Sequence, residues 1–268
     1  MNQDIHPHAN QTKNSSLGPI DKHIGVGVYL SVIIPAYNEE QRIADTVTDI
    51  SRYLSKQNCA FEIIVVNDGS KDKTAEKVKE TQATIYNLKL IDNEKNKGKG
   101  GATKDGMLAA QGQYRLYLDA DNAITIDHLD KFWPYIKEGC DIVIGSIELP
   151  GSVKKEEYVG FGKIYRNVLG KLSKYLIRVM AIWEIHDTQR AFKLFTKEAA
   201  EKIFPKQTIM RWGFDIELLV IAKGMGYKIK ELPVKWDNPQ GRVTFLAYFS
   251  TLKELLQIKL NKWRGKYV

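Results

Sequence analysis

Five short, almost continuous apolar runs, each followed by a polar loop and most of them then by a helical stretch, set the strongest limit on how this chain can fold. They are Leu30-Ser-Val-Ile-Ile-Pro35, Phe61-Glu-Ile-Ile-Val-Val66, Ile85 to Ile91, Tyr114-Arg-Leu-Tyr-Leu118 and Asp141-Ile-Val-Ile-Gly145. Runs apolar on successive residues suit strands covered on both faces, not strands with one wet face. Helical stretches are expected from about Glu40 to Lys56, from near Asp72, and from the loop Asn93 to Gly101 through Ala110. Strands alternating with helices of that length predict a mostly parallel sheet in an α/β domain. Such sheets bind ligands beyond the carboxyl ends of their strands. The chemistry is therefore sought in four loops: Ala36-Tyr-Asn-Glu-Glu40, Asn67-Asp-Gly-Ser70, Asn96-Lys-Gly-Lys-Gly-Gly101 and Asp119-Ala-Asp-Asn122.

The glycine-rich loop has neither the GxxxxGK[ST] spacing nor GxGxxG, since Thr103 stands where the third glycine would fall. That removes the main support for an ATPase or a dinucleotide dehydrogenase. Lys97 and Lys99, on a pliable backbone before a helix, still suit a diphosphate; a solvated turn is the plainer alternative. Asp119-Ala120-Asp121 places two carboxylates one residue apart at a strand end, where Mg²⁺ or Mn²⁺ shared with substrate phosphates would find oxygen ligands. A solvated acidic pair is its plain alternative, and what favours the metal is position, the fourth polar loop at one sheet edge. Asp68 is either a turn residue before Gly69 or an acceptor for a nucleoside base or ribose.

Taken in order, Pro35-Ala-Tyr-Asn-Glu39, Val66-Asn-Asp-Gly-Ser70, Asn96-Lys-Gly-Lys-Gly-Gly101 and Asp119-Ala-Asp121 resemble the motifs of family 2 glycosyltransferases. The resemblance continues through Asp187-Thr-Gln-Arg-Ala-Phe-Lys193, Arg211-Trp-Gly-Phe-Asp-Ile-Glu217 and Glu231-Leu-Pro-Val-Lys-Trp236, where the chain is similar to dolichyl-phosphate β-glucosyltransferases and, more loosely, dolichyl-phosphate mannose synthases. It implies a GT-A nucleotide-sugar fold and an inverting transfer, with UDP-glucose as donor and a dolichyl or other polyprenyl phosphate as acceptor. A GDP-sugar donor and another hexose, mannose among them, stay open. The resemblance also implies that Pro35, Tyr37, Glu39 and Asp68 hold the nucleoside, with Lys97, Lys99, Asp119, Ala120 and Asp121 at the diphosphate and sugar. Asp119 and Asp121 would bind Mg²⁺ or Mn²⁺. Lys193 and Arg211 would face the diphosphate or the acceptor phosphate, and Asp215 and Glu217 would shape the acceptor side. Three departures stand out: Ile147 in place of Arg after Gly145-Ser146, Arg190-Ala191 in place of Cys-Gly, and Ala123 in place of Gln. Arg190 or Arg166 is then expected to supply the missing charge to the acceptor phosphate.

Lys and Arg number 40 against 32 Asp and Glu, a net charge of +8. The excess is uneven: residues 242–268 carry six basic side chains and one acid. There Phe245, Tyr248, Phe249, Leu252, Leu255, Leu256, Leu260 and Trp263 recur at helical spacing. Phe161 to Trp183 repeats the pattern with Lys163, Arg166, Lys171, Lys174 and Arg178 on other faces. Packing on the core explains either helix alone; two together favour an anionic membrane surface. The expected layout is a mobile polar tail over 1–28, a GT-A catalytic domain over 29–240 including the amphipathic stretch at about 160–183, and a basic membrane-surface segment over 241–268.

With no apolar run of the roughly 18–20 residues that cross a bilayer and no signal peptide, the expected place is cytoplasmic, on the cytosolic face of a membrane. Cys59 and Cys140 form no disulfide scaffold, and the five His show no zinc spacing. Nucleic acid is not an expected partner, since no binding module accompanies the charge. The remaining alternatives are transfer to a polysaccharide hydroxyl, with Asp215 as base, and a non-catalytic sugar-nucleotide scaffold. Oligomeric state is not legible.

Overall fold

The computed structural model describes residues 27–155, 170, 175–237 and 245–267. Nearly all of the expected tail, Arg166, most of the 160–183 stretch and residues 241–244 lie outside the described residues.

The five apolar runs form β1 (Leu30–Ala36), β2 (Phe61–Asp68), β3 (Leu88–Asn93), β4 (Tyr114–Tyr117) and β5 (Ile142–Ser146). Every residue of β1, and all of β2 after Phe61, is buried, as strands with two covered faces require. Successive β1 side chains alternate between two cores. Leu30, Val32 and Ile34 join one cluster, and Ile33 joins the other. Between the strands run α1 (Ile43–Leu54), α2 (Thr74–Gln82), α3 (Lys99–Ala109) and, after a 3₁₀ turn at Ile126–Lys131, α4 (Trp133–Lys137). α1 buries Ile43, Val47, Ile50 and Leu54, one stripe at helical spacing. α3 starts earlier than expected, so Lys99, Gly100 and Gly101 belong to its first turn. It lies unusually close to the sheet, because a Cβ at Gly106 would come within 2.5 Å of Ile33 Cγ2.

The sheet order is β3-β2-β1-β4-β7-β5-β8. All neighbours are parallel except β7 (Lys193–Thr196), which runs antiparallel between β4 and β5. β8 (Ile229–Pro233) extends the far edge, and β6 (Val153–Lys155) pairs with β9 (Lys235–Asp237) in a separate ribbon. None of these four strands was legible as an apolar run, since β7 opens on a lysine and β6 is fully exposed. Of the second half, α5 covers residues 175–180, α6 is Lys197–Ile203, α7 is Phe214–Gly224 and α8 is Phe245–Trp263. Thr196 caps α6 by accepting the Ala199 N–H. α7 buries nine successive residues from Phe214 to Ala222, so it is an interior helix.

Chain order puts β2 and β3 on one side of β1 and β4 on the other. The sheet thus changes direction of growth between β1 and β4, and the loops after these strands diverge to leave a crevice.

Glu62 ties the opposite end of this half together. It is 2% exposed and accepts bonds from Ser31 Oγ (2.5 Å), the Gln111 N–H (2.8 Å) and Lys89 Nζ (2.7 Å). Burial alone would raise its pKa, but the bonds from Lys89, Ser31 and Gln111 outweigh burial and hold it below the ordinary 4.5. A carboxyl with a depressed folded pKa stabilises above its unfolded pKa and loses that contribution as pH falls through the folded value. Acid unfolding of Glu62→Gln should therefore show a shallower loss of stability below about pH 4.5 than the parent. Equal slopes in urea titrations across that range would contradict this.

Candidate functional site

The crevice is lined by the loops after β1 and β4, the start of α3 and the loop before α7. After β1, Asn38 takes a left-handed conformation (φ 56°). Its N–H donates to Ser70 Oγ, and its Oδ1 accepts the Lys71 N–H, both at 2.9 Å. This turns Tyr37 outward at 41% exposure, a ring available for stacking. Pro35 is buried within β1, and Glu39 forms an ion pair with Arg42 at 2.7 Å. After β2, both oxygens of Asp68 accept backbone N–H groups, from Lys97 at 2.8 Å and Gly98 at 2.9 Å. Asp68 is 2% exposed, so its first task is to hold the glycine-rich loop, and only its remaining lone pairs are open to a nucleoside. Burial raises its pKa against the lowering effect of those two N–H groups.

After β4, Asp119 pairs with Lys99 Nζ at the first turn of α3. Burial would depress the Lys99 pKa, but Asp119, then Asp215 and Asp121, hold it above its ordinary value. Asp121 accepts the Ala123 N–H at 3.1 Å, which closes the turn after β4. Burial first, then the neighbouring Asp119 charge, push its carboxyl above the ordinary 3.8. Two half-buried carboxylates one residue apart, beside an open crevice, form a donor set that suits a hard divalent cation completed by phosphate oxygens. Ala120 lies between them, buried, its carbonyl accepting from Thr46 Oγ1 at 2.7 Å. Lys97 reaches away from Asp119 to Asp105, at 2.6 Å.

Arg211 is exposed on the loop before α7, and a Cβ at Gly98 would come within 3.0 Å of its Cγ. It therefore meets the glycine-rich loop. Lys193 and Asp215 are buried and paired with each other, beside the Lys99–Asp119 group. Lys193 is 0% and Asp215 3% exposed; they pair at 2.6 Å, and the Tyr117 hydroxyl donates to the same Asp215 oxygen. Burial pulls the Lys193 pKa down, opposed by Asp215. The reason is topological: β7 is an interior strand, and a lysine at its first residue has nowhere to go but beneath the sheet's C-terminal edge. Glu217 is likewise buried, on α7. Arg190 stacks on Trp236 with its guanidinium carbon 4.4 Å from the ring centre and pairs with Asp187 at 3.3 Å. Asp187 also accepts the N–H of Ile147, whose buried side chain joins the core where the resemblance led one to expect an arginine.

Sequence reasoning missed Arg42, Tyr117 and Gln207. Arg42 is three residues after Glu39, a helical ion-pair spacing that was readable. Tyr117 sits in an apolar strand and gave no signal. Gln207 is 2% exposed and donates to the carbonyls of Gly100 (2.9 Å) and Ile209 (2.8 Å), joining segments no local pattern connects.

A parallel sheet with this switch point, a glycine-opened helix and a carboxylate pair define a GT-A-like protein. A glucosyl-3-phosphoglycerate synthase from Mycobacterium tuberculosis, solved in complex with Mn²⁺, UDP and glucosyl-3-phosphoglycerate, shares the fold with a TM-score of 0.54 at 18% identity, over 88% of this chain and 77% of its own. The chain belongs to glycosyl transferase family 2, whose signature matches residues 31–204. A dolichyl-phosphate beta-glucosyltransferase of Trichomonas vaginalis is 37% identical over 253 residues, 88% of this chain and 76% of the relative. The Homo sapiens dolichyl-phosphate beta-glucosyltransferase is 33% identical over 257 residues, 89% and 77% respectively.

Proposed function

We propose that this glycosyltransferase moves glucose from UDP-glucose to a dolichyl or other polyprenyl phosphate, with inversion, at a membrane surface. The observation that carries the reading is the meeting of Asp119, Asp121, Lys99 and the glycine-opened start of α3 at one switch point, in a chain whose relatives are dolichyl-phosphate β-glucosyltransferases. Tyr37 would stack on the base, and Asp68 keeps the glycine-rich loop in shape for the diphosphate. Asp119 and Asp121 would hold Mg²⁺ or Mn²⁺, which supplies charge neutralisation to the leaving diphosphate. Lys99 and Arg211 add fixed positive charge on the same side, where charge develops as the sugar leaves.

The acceptor needs no base. A phosphate monoester has its second pKa near about 6, so it arrives as a nucleophilic anion at neutral pH. Asp215, the carboxylate that a hydroxyl acceptor would have called upon, is committed to Lys193 and Tyr117, which favours the phosphate reading. Arg190, held by Asp187 and Trp236, is the described residue offered to the acceptor phosphate.

α8 supports the surface location. Leu255 and Ile258 bury one face of it, yet Leu252, Leu256, Leu260 and Trp263 remain 39%, 55%, 39% and 84% exposed. Exposed Lys253, Lys259, Lys262, Arg264 and Lys266 surround that stripe, each worth about 1 kcal/mol near an anionic leaflet. Tyr175 and Val179 on α5, and Trp183 just beyond its end, are exposed as well. Among the described residues no helix is long and apolar enough to cross a membrane. Residues 29–240 then form the catalytic unit, and 241–268 a segment that rests on the cytosolic face of the bilayer.

The test is transfer from labelled UDP- and GDP-sugars to polyprenyl phosphate in vesicles with Mn²⁺. A lipid-extractable glucosyl product formed from UDP-glucose is expected. Product from GDP-mannose instead, or transfer to a hydroxyl acceptor without lipid, would replace the proposal.

A further inference from the structure

The loop that carries Arg211 is held from two sides. On the crevice side, the Met210 carbonyl accepts the Gly101 N–H at 3.1 Å, and Gln207 binds the Gly100 carbonyl at 2.9 Å. Gly98, at φ 91°, packs so closely that a Cβ there would sit 2.5 Å from the Met210 oxygen. This loop is therefore bonded directly to the glycine-opened start of α3.

On the other side stands Glu217, fully buried, whose carboxylate is an acceptor on both oxygens. Its bonds come from the Thr208 N–H (2.9 Å), Thr208 Oγ1 (2.6 Å), the Ile209 N–H (2.7 Å) and the Tyr267 hydroxyl (2.7 Å). Tyr267 reaches this point because Gly265, at φ 70°, turns the chain back after α8. Its ring is 3% exposed, and its oxygen also faces Asn261 Nδ2 at 3.3 Å, while the same amide donates to Thr208 Oγ1 at 2.9 Å. Glu254, one turn before Ile258 on α8, accepts the Gly213 N–H at 2.7 Å. The loop is thus fastened at both ends to side chains of α8 and its return.

We propose that Tyr267 is a positioning residue for the donor site. Through Glu217 and Thr208 it holds the Arg211 loop against the glycine-opened start of α3. The inference rests on the reading of that region as the nucleotide-diphosphate site. A hydroxyl donating to a carboxylate is among the stronger hydrogen bonds, and with Thr208 and Asn261 it forms one connected network. Its loss loosens Glu217, which keeps its bonds from Thr208 and Ile209, without removing any group that touches the donor.

The test compares Tyr267→Phe, which keeps the ring in the core, with Thr208→Val, which cuts the same network from the loop side. UDP affinity is read from the emission of Trp212, which is 51% exposed beside Arg211, with Trp212→Phe confirming the signal's source. Each variant is expected to bind UDP about tenfold more weakly, as loss of one charge-assisted bond implies, with the donor KM raised and kcat little changed. The double variant should lose little more than either single change, because both cut one network. Ile258→Val, an apolar change elsewhere on α8, should leave UDP affinity alone. Parent-like UDP binding by Tyr267→Phe and Thr208→Val would overturn the positioning role and leave the donor site standing. A parent chain that does not bind UDP at all would overturn both.

Discussion

Asp121→Asn is expected to abolish metal-dependent transfer while leaving the fold as stable as the parent, or more so. The asparagine keeps an oxygen for the Ala123 N–H, so the turn after β4 retains its bond. What it removes is a half-buried negative charge beside Asp119. Because the folded-state pKa of Asp121 is raised, its ionisation at neutral pH is a cost borne by the folded state, and a neutral amide relieves it. Function should move the opposite way. A divalent ion contributes several kcal/mol to stabilising charge on a leaving diphosphate, and each 1.4 kcal/mol or so is about tenfold in rate. Transfer should fall by at least about 10²-fold, and the upward shift of melting temperature with Mn²⁺ should vanish. An active Asp121→Asn enzyme, indifferent to chelators, would exclude the carboxylate pair from the reaction.

Asp215→Asn should do the reverse, damaging the fold first. It leaves the Lys193 ammonium with no counter-charge at 0% exposure. Removing one partner of a buried ion pair costs about 3–5 kcal/mol, a large share of the roughly 5–15 kcal/mol that holds a domain folded. Urea unfolding should show the midpoint drop accordingly. Replacing the whole group by apolar side chains (Lys193→Met, Asp215→Leu and Tyr117→Phe together) should recover much of the loss, because no polar atom of the group is then stranded. Unchanged stability in Asp215→Asn would show that the pair is not ionised in the folded protein.

The two variants also mark where sequence reasoning reached and where it stopped. Strands β1 to β5 were readable because a strand buried on both faces must be apolar at every position, as Val32 to Ile34 and Ile63 to Val66 are. The four loops were readable because a parallel sheet gathers them at one edge, and Asp119, Asp121, Lys99 and Arg211 do gather there. The burial of Lys193 and Asp215 was not legible because a motif fixes residue types and not exposure: the same charged letters serve a wet crevice or a dry interior. β7 decides between these, and its insertion depends on partners far away in sequence. The amphipathic stretch ending at Trp183 was readable only as a period. Its apolar side turns outward at Tyr175 and Val179, while Ile177 and Ile182 take the buried positions.

β7 has a further consequence, for the order in which the molecule can assemble. Strands β1 to β4 have all their parallel neighbours by Tyr117, through short crossovers. That half can condense while the rest of the chain is still being synthesised. β5 and β8 join that half only through Lys193–Thr196, which lies between β4 and β5 and pairs Tyr117 with Lys193. This is a distant, entropically slow closure. The seam that joins the two halves is therefore the one that must bury a lysine, and it is complete only when α7 has brought Asp215 to meet it.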